Sequence, residues 1–187
     1  MGFFTRLFKK VEDVNKGEAD ISELNDELYI ESALDEANDY WVEMAQNIIV
    51  NAVKATDNSV DRAFVVVDMR EHPAFAIFYQ VDGELVMWNQ LEDDDIKQKI
   101  ESELLPQAVN VAAAVNEKFV QADHPVIAYA QLQFEWATGA WFSHIIWGDD
   151  AKANLEVEEI VTSWFSLLSE EIKSLSLDSD SKLSWYP

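Results

Sequence analysis

Residues 126–147, Val126 to Trp147, read VIAYAQLQFEWATGAWFSHIIW, and this stretch decides the fold. Val126, Ala128, Ala130, Leu132, Phe134 and Trp136 alternate with Ile127, Tyr129, Gln131, Gln133 and Glu135. A period of two places the first set on one face of a half-buried strand. Ala137-Thr138-Gly139-Ala140 then turns the chain into a second aromatic run, which Gly148 and two aspartates close. The pattern predicts a β-hairpin with a loop of about three to five residues.

Upstream, Phe64 to Met69 is a β-branched, apolar run, and Pro73 marks a turn or an edge. Phe75 to Val81 leads through Asp82-Gly83 into Glu84 to Leu91. Asp-Gly between two such runs is a strong short-range hairpin signal, so these three strands read as an antiparallel meander. The continuous AFVVV run predicts a strand covered, at least in part, on both faces.

Helical periodicity fills the rest. Ile21, Leu24 and Leu28 predict a short helix, and Ser32 followed by Asp35 predicts the start of a second one running from about Ala33 to Ala55. On that second helix Leu34, Ala37, Trp41, Met44, Ile48 and Ala52 form the buried stripe, widened by Ala45, Ile49 and Val53. A further helix begins at Ile96 and is broken or kinked at Pro106; Ala108, Val111, Ala112, Val115 and Phe119 continue it. Val157, Val161, Trp164, Leu168, Ile172 and Leu175 give the last helix its inner face. The expected architecture is one α+β domain over residues 17–175: a five-stranded, largely antiparallel sheet in the order α-βββ-α-ββ-α, with helices packed on it. A basic amphipathic segment, 1–16, precedes it and a polar tail, 176–187, follows, with Trp185, Tyr186 and Pro187 as candidates for docking.

A chain of 187 residues with 49% apolar content buries one full core. No run reaches the 18 or more uncharged apolar residues of a membrane span, and the N-terminus lacks the features of a signal peptide, so a cytoplasmic location is expected. The absence of cysteine excludes disulfides, thiolate metal sites and thiol catalysis. The outlying feature is charge: 36 acidic against 13 basic residues, a net charge of −23 at pH 7. Such a surface repels nucleic acid and anionic lipid and attracts cationic partners. Against that background, Phe3, Phe4, Leu7, Phe8 and Val11 with Arg6, Lys9 and Lys10 make a short basic amphipathic segment, which fits either weak contact of residues 1–11 with a membrane surface or docking on the acidic body.

Chemistry is not written in any recognisable signature. His72, His124 and His144 lie far apart in sequence, and none falls in a metal-ligand spacing. Ser143 and His144 are adjacent, and adjacent strand residues point to opposite faces. Glu92-Asp93-Asp94-Asp95 has the residue type of a hard-cation site but no calcium-loop spacing, and acids at the start of a helix explain it. The five glycines form no phosphate loop. No catalytic residue, metal or cofactor is therefore expected.

Binding is the alternative. Residues 17–53 carry ten acids and no Lys or Arg. Asp35, Asp39 and Glu43, four apart, project from one helix face with Glu36 beside them. A row of this kind is either a solvated face or a receiver of Lys and Arg side chains from a partner. Among the tryptophans, Trp41, Trp136 and Trp164 are expected in the core. Trp88, Trp141 and Trp147 are harder to bury together and are candidate anchors for a protein partner.

The order of elements, with Phe78-Tyr79-Gln80-Val81-Asp82-Gly83-Glu84 ending the meander and Phe134-Glu135-Trp136 and Trp141-Phe142 in the later hairpin, resembles the YezG-type bacterial immunity proteins over roughly residues 33–148. The basic start, the acidic segment before the long helix and the long final helix depart from that pattern. The resemblance implies an antitoxin that neutralises a toxin such as a nuclease by direct binding, with no active site. Two other classes compete with it. One is a phage-type inhibitor that mimics DNA, and the other is a small-ligand domain or enzyme, which predicts a deep pocket with convergent polar groups.

Overall fold

The computed structural model describes residues 20–174 and 182–186. The amphipathic segment 1–16, including residues 1–11 with their two alternatives of membrane contact or docking on the acidic body, lies outside the described residues. Strands β1 (Arg62–Asp68), β2 (Ala74–Val81), β3 (Glu84–Met87), β4 (Ile127–Glu135) and β5 (Trp141–Trp147) form one sheet. Their order is β3-β2-β1-β4-β5, and every neighbouring pair is antiparallel. The expected meander and hairpin are thus joined through β1 and β4 into the expected α+β domain. At the meander's second turn Asp82 and Gly83 both take positive φ, +51° and +82°, the backbone that makes Asp-Gly so strong a hairpin signal.

Helices cover both faces. On the first lie α1 (Asp20–Ala55) and α3 (Ala108–Gln121). Their small side chains, Ala37, Ala45 and Ala52 on α1 and Ala108 and Ala112 on α3, are buried in one cluster with Val65, Val67, Ile77, Tyr79, Ala130 and Leu132 of the sheet. Alanine at these points lets the backbones approach closely. On the second face α4 (Val157–Ser174) presents Ile160, Val161, Trp164 and Leu168 to Phe64, Val66, Phe78 and Tyr129. Trp164 meets Phe64 and Phe78 edge to face, at centroid distances of 5.6 and 5.2 Å.

Double coverage corrects the reading of 126–136 as a half-buried strand, because β4 is buried continuously from Ile127 to Gln133. A bulge between Ile127 and Tyr129 also shifts its phase, so that Ile127, Ala130 and Leu132 face the first cluster while Ala128 and Tyr129 face the second. Asn116 of α3 secures this bulge: its side-chain amide donates to the Met69 carbonyl (3.1 Å) and accepts from the Ile127 N–H (3.2 Å). Trp136, expected in the core, is 49% exposed. It stands one residue past the end of β4, where its N–H reaches the Asp61 carbonyl (2.9 Å) and the sheet has no further layer to cover its ring.

The two expected N-terminal helices are one. Helix α1 runs 36 residues, about 54 Å at 1.5 Å per residue, through Ser32 without a break. No Gly or Pro occurs between Asp20 and Ala55, so the Ser-x-x-Asp signal has nothing to enforce a start there. Pro106 interrupts its helix, as expected: regular α geometry stops at Lys99 and resumes at Ala108. After α2 (Asp94–Lys99) the chain widens into a π turn over Ile100–Leu104, tightens to a 3₁₀ turn over Leu105–Gln107 and resumes as α3. The π turn relieves the clash a proline ring makes with the carbonyl four residues back.

The end of the chain completes the second face. Leu183 is buried, and Gln133 of β4 binds its backbone from both sides, accepting from the Leu183 N–H (3.0 Å) and donating to its carbonyl (2.9 Å). Trp164 Nε1 donates to the Ser184 carbonyl (3.0 Å), and Trp185 and Tyr186 pack on the same cluster. Beyond β1, Arg70 grips the buried Asp68 carboxylate through Nε and Nη2 (2.9 and 3.0 Å) and donates from Nη1 to the carbonyls of Ala153 and Leu155 (2.9 and 2.6 Å). It thereby ties the central strand to the approach to α4. Arg70→Ala leaves the Asp68 carboxylate with only the residue-70 N–H as a partner (3.0 Å) and removes the donor to two carbonyls, and urea unfolding should show a loss of about 2–4 kcal/mol. Arg70→Lys should recover only part of it, since an ammonium cannot make the bidentate contact.

Candidate functional site

Asp35, Glu36, Asp39 and Glu43 all emerge on the solvent side of α1, opposite the stripe of Ala37, Trp41, Ala45 and Ile48 that is locked in the core. All four are exposed, and none has a salt-bridge partner among the described residues. The sequence spacing is therefore realised as a row of carboxylates on a helix whose orientation the core fixes.

The three tryptophans are not brought together. Trp88 opens a 3₁₀ turn directly after β3, at one edge of the sheet, whereas Trp141 and Trp147 are the two ends of β5, the opposite edge. All three are partly buried and pack against the first cluster. Trp147 is fixed edge-on to Phe119 (5.1 Å) and to His124 (4.6 Å), so its ring serves the rim of the core.

A groove that sequence reading missed lies where the loop between α1 and β1, the β2–β3 hairpin and the start of α2 meet. Its volume is about 530 Å³. Val60, Val81, Val86, Leu91 and Ile96 give it apolar walls, and Asp82, Glu84, Glu92 and Asp93 stand exposed around it. The signal available in the sequence was the Asp-Gly turn and the acidic run after β3, but nothing local says that the two converge. Part of the acidic run has a structural task. Asp93 caps α2, its carboxylate accepting from the N–H groups of Asp95 (2.9 Å) and Ile96 (3.2 Å). Among the described residues no group of three or more His, Asp or Glu is placed to hold a metal ion.

Ser143 and His144 separate as expected. Ser143 stands opposite Leu132 of the first face, and His144 opposite Gln131 on the second. His144 stacks on Trp185 at 5.6 Å. Burial pushes its pKa below the usual 6.5, and the charges of Lys152 and Lys182 push it further, against a smaller opposing effect of Asp150. At the hairpin's open end burial raises Glu135, but hydrogen bonds from Arg62 and Thr138 and the charge of Arg62 outweigh it and hold the carboxyl below its ordinary range. Arg62 spans from β1 to make this pair on the neighbouring strand.

In chemical terms the described surface offers carboxylates, singly and grouped, for cationic side chains, beside apolar surface that excludes water. A scan against protein-family models gives no match, and a search of curated proteins gives none. Within the described residues no helix is long and apolar enough to cross a membrane.

The depressed pKa of His144 carries a sign. The unfolded chain binds a proton at this position more readily than the folded one, so His144 supports stability above about pH 6.5. That support is lost as pH falls through the folded value. Unfolding free energies measured between about pH 7.5 and about pH 5 should fall more steeply for the wild type than for His144→Gln.

Proposed function

We propose that the protein is a non-enzymatic, acidic binding protein of the immunity type, which neutralises a basic toxin, such as a nuclease, by direct contact. The observation that carries this reading is the α1 row: Asp35, Glu36, Asp39 and Glu43 are exposed, unmatched and held on a rigid element of a protein with net charge −23. Like charges at this spacing cost an isolated helix a few tenths of a kcal/mol per pair. A cationic partner surface would remove that cost and gain from the long-range field.

The acid-rimmed groove adds a place for binding energy, since steering alone accelerates encounter without making a complex long-lived. Its apolar walls fit the aliphatic stem of a Lys or Arg whose charged end meets Asp82, Glu84, Glu92 or Asp93. Along the axis of α1, Thr56 at the groove lies about 20 Å beyond Glu43. An interface of standard size, about 800 Å² on each partner, covers such a span. In this reading Trp141, partly buried at the end of edge strand β5, is an additional anchor, and Trp88 and Trp147 contribute mainly to the shape of the rim. The protein would work in the cytoplasm beside a toxin not yet exported.

The reading predicts a toxin encoded next to this protein's gene, and the test is its neutralisation. Equimolar protein should abolish its activity. Reversing all four α1 acids to Lys should slow association by about ten- to a hundredfold at low salt and flatten its salt dependence. Trp141→Ala should speed dissociation while leaving the thermal transition in place. An affinity indifferent to salt and to the four reversals would refute the reading, and competition by duplex DNA for the same partner surface would replace it with DNA mimicry.

A further inference from the structure

We propose that the groove between β5 and the C-terminal segment, lined by His144, Lys152, Lys182, Ser184 and Trp185, binds a small anion through a carboxylate or phosphate group. This open groove has a volume of about 610 Å³, and Leu183 completes its lining. It lies on the second face of the sheet and is separate from the acidic surfaces assigned to a protein partner.

Three chain segments converge to build it. His144 comes from β5, Lys152 from the 3₁₀ turn Ala151–Asn154, and Lys182, Ser184 and Trp185 from the C-terminal segment. That segment is held in position by its backbone contacts. Besides the Gln133 and Trp164 bonds, the Ser184 N–H donates to Glu171 Oε2 (3.0 Å). Lys182 is steadied over the Trp185 ring at 5.2 Å, and that ring also packs against His144 and Trp164.

Of the described lysines without an ion-pair partner, Lys54, Lys118 and Lys173 stand apart from this groove, whereas Lys152 and Lys182 line it together. Arg62, Arg70, Lys97 and Lys99 each pair with a carboxylate. Lys152 and Lys182 have no ion-pair partner among the described residues, and no carboxylate lines the groove they share. Asp150 is the nearest acid by its effect on His144, and one of its carboxylate oxygens is engaged in accepting from the Lys152 N–H (2.8 Å). In a chain with 36 acids, two unmatched ammonium groups facing one groove without a carboxylate are an arrangement suited to an incoming anion.

The layer beneath has unused hydrogen-bonding capacity. Gln131, the direct cross-strand neighbour of His144, is fully buried, and neither its amide nitrogen nor its amide oxygen has a partner. The buried Tyr129 hydroxyl on the same face has none either. Neither side chain lines the groove itself; unmatched buried polar atoms are uncommon in native proteins, and a water or ion reaching this layer would satisfy them. Ligand size follows from the field. Screening confines a local positive patch to about 8 Å at physiological ionic strength, and beyond that the acidic body repels a polyanion. A ligand with one or two charges fits within the patch, and nucleic acid does not.

The experiment is a titration of the full chain followed by the imidazole proton resonances of His144, assigned with His144→Gln. Sodium phosphate is the probe in one arm and sodium acetate in the other, each at ionic strength held constant with chloride. Saturable shifts and a rise in the His144 pKa are expected; saturation by phosphate alone assigns a phosphate ligand, by acetate alone a carboxylate, and by both a site for either. Lys152→Gln, on an exposed turn, should weaken binding about tenfold, and the Lys152→Gln/Lys182→Gln double variant should weaken it further. Lys173→Gln, on α4, should leave it unchanged. Linear, unsaturated shifts in both arms, or a double variant that responds like the wild type, would overturn the proposal. Because neither measurement involves a toxin, failure here leaves the immunity reading untouched, and the reverse also holds.

Discussion

The structure depends on burying β1 from both sides. Arg62 to Asp68 is the middle strand of five, and Phe64 and Val66 face one cluster while Ala63, Val65 and Val67 face the other. A strand of this kind requires a layer over each face of the sheet. The first layer is generous, with two long helices meeting through alanines. The second has one helix, α4, and is finished by Leu183, Trp185 and Tyr186 from a segment that sequence composition marks as a tail. The side-chain amide of Gln133 is what lets β4 hold that segment, because it satisfies an N–H and a carbonyl that would otherwise be buried without partners.

Charge is partitioned by the same architecture. The acids of α1 and of the β2–β3 hairpin face outward, while Arg62 and Arg70 stay near the sheet and join strands or layers to one another. On the sheet face that carries the C-terminal segment, Lys152 and Lys182 line one groove without an ion-pair partner among the described residues. An acidic protein thus has a local surface of opposite character, and the two surfaces carry the two proposed ligands: a cationic protein on one, a small anion on the other.

Much of the fold was legible because its signals are local. The Asp-Gly turn, the AFVVV run, the hairpin around Gly139 and the stripes of α1, α3 and α4 each rest on spacing within one segment, and each found its place. The misreadings share a different cause. Ser32 looked like a helix start because capping residues permit a boundary without requiring one. Trp136 continued an apolar alternation that the sheet itself did not continue, and the alternation of β4 concealed a bulge. Of the candidate site, the α1 row was legible from i to i+4 spacing. The acid-rimmed groove was not, since it joins residues from 56 to 96 that only the meander's return brings together.

The sequence by itself determined the element order, the antiparallel pairing within each hairpin, the buried stripe of each helix and the sign of the electrostatic field, because all of these follow from periodicity, turn chemistry and composition. Tertiary structure alone decided that the meander and the hairpin join through β1 and β4, that a second layer covers β4, and that the C-terminal segment closes it. These depend on which surfaces find each other across long separations, such as Gln133 with Leu183 or Arg70 with Ala153, and no local pattern encodes the partner of a buried amide or guanidinium.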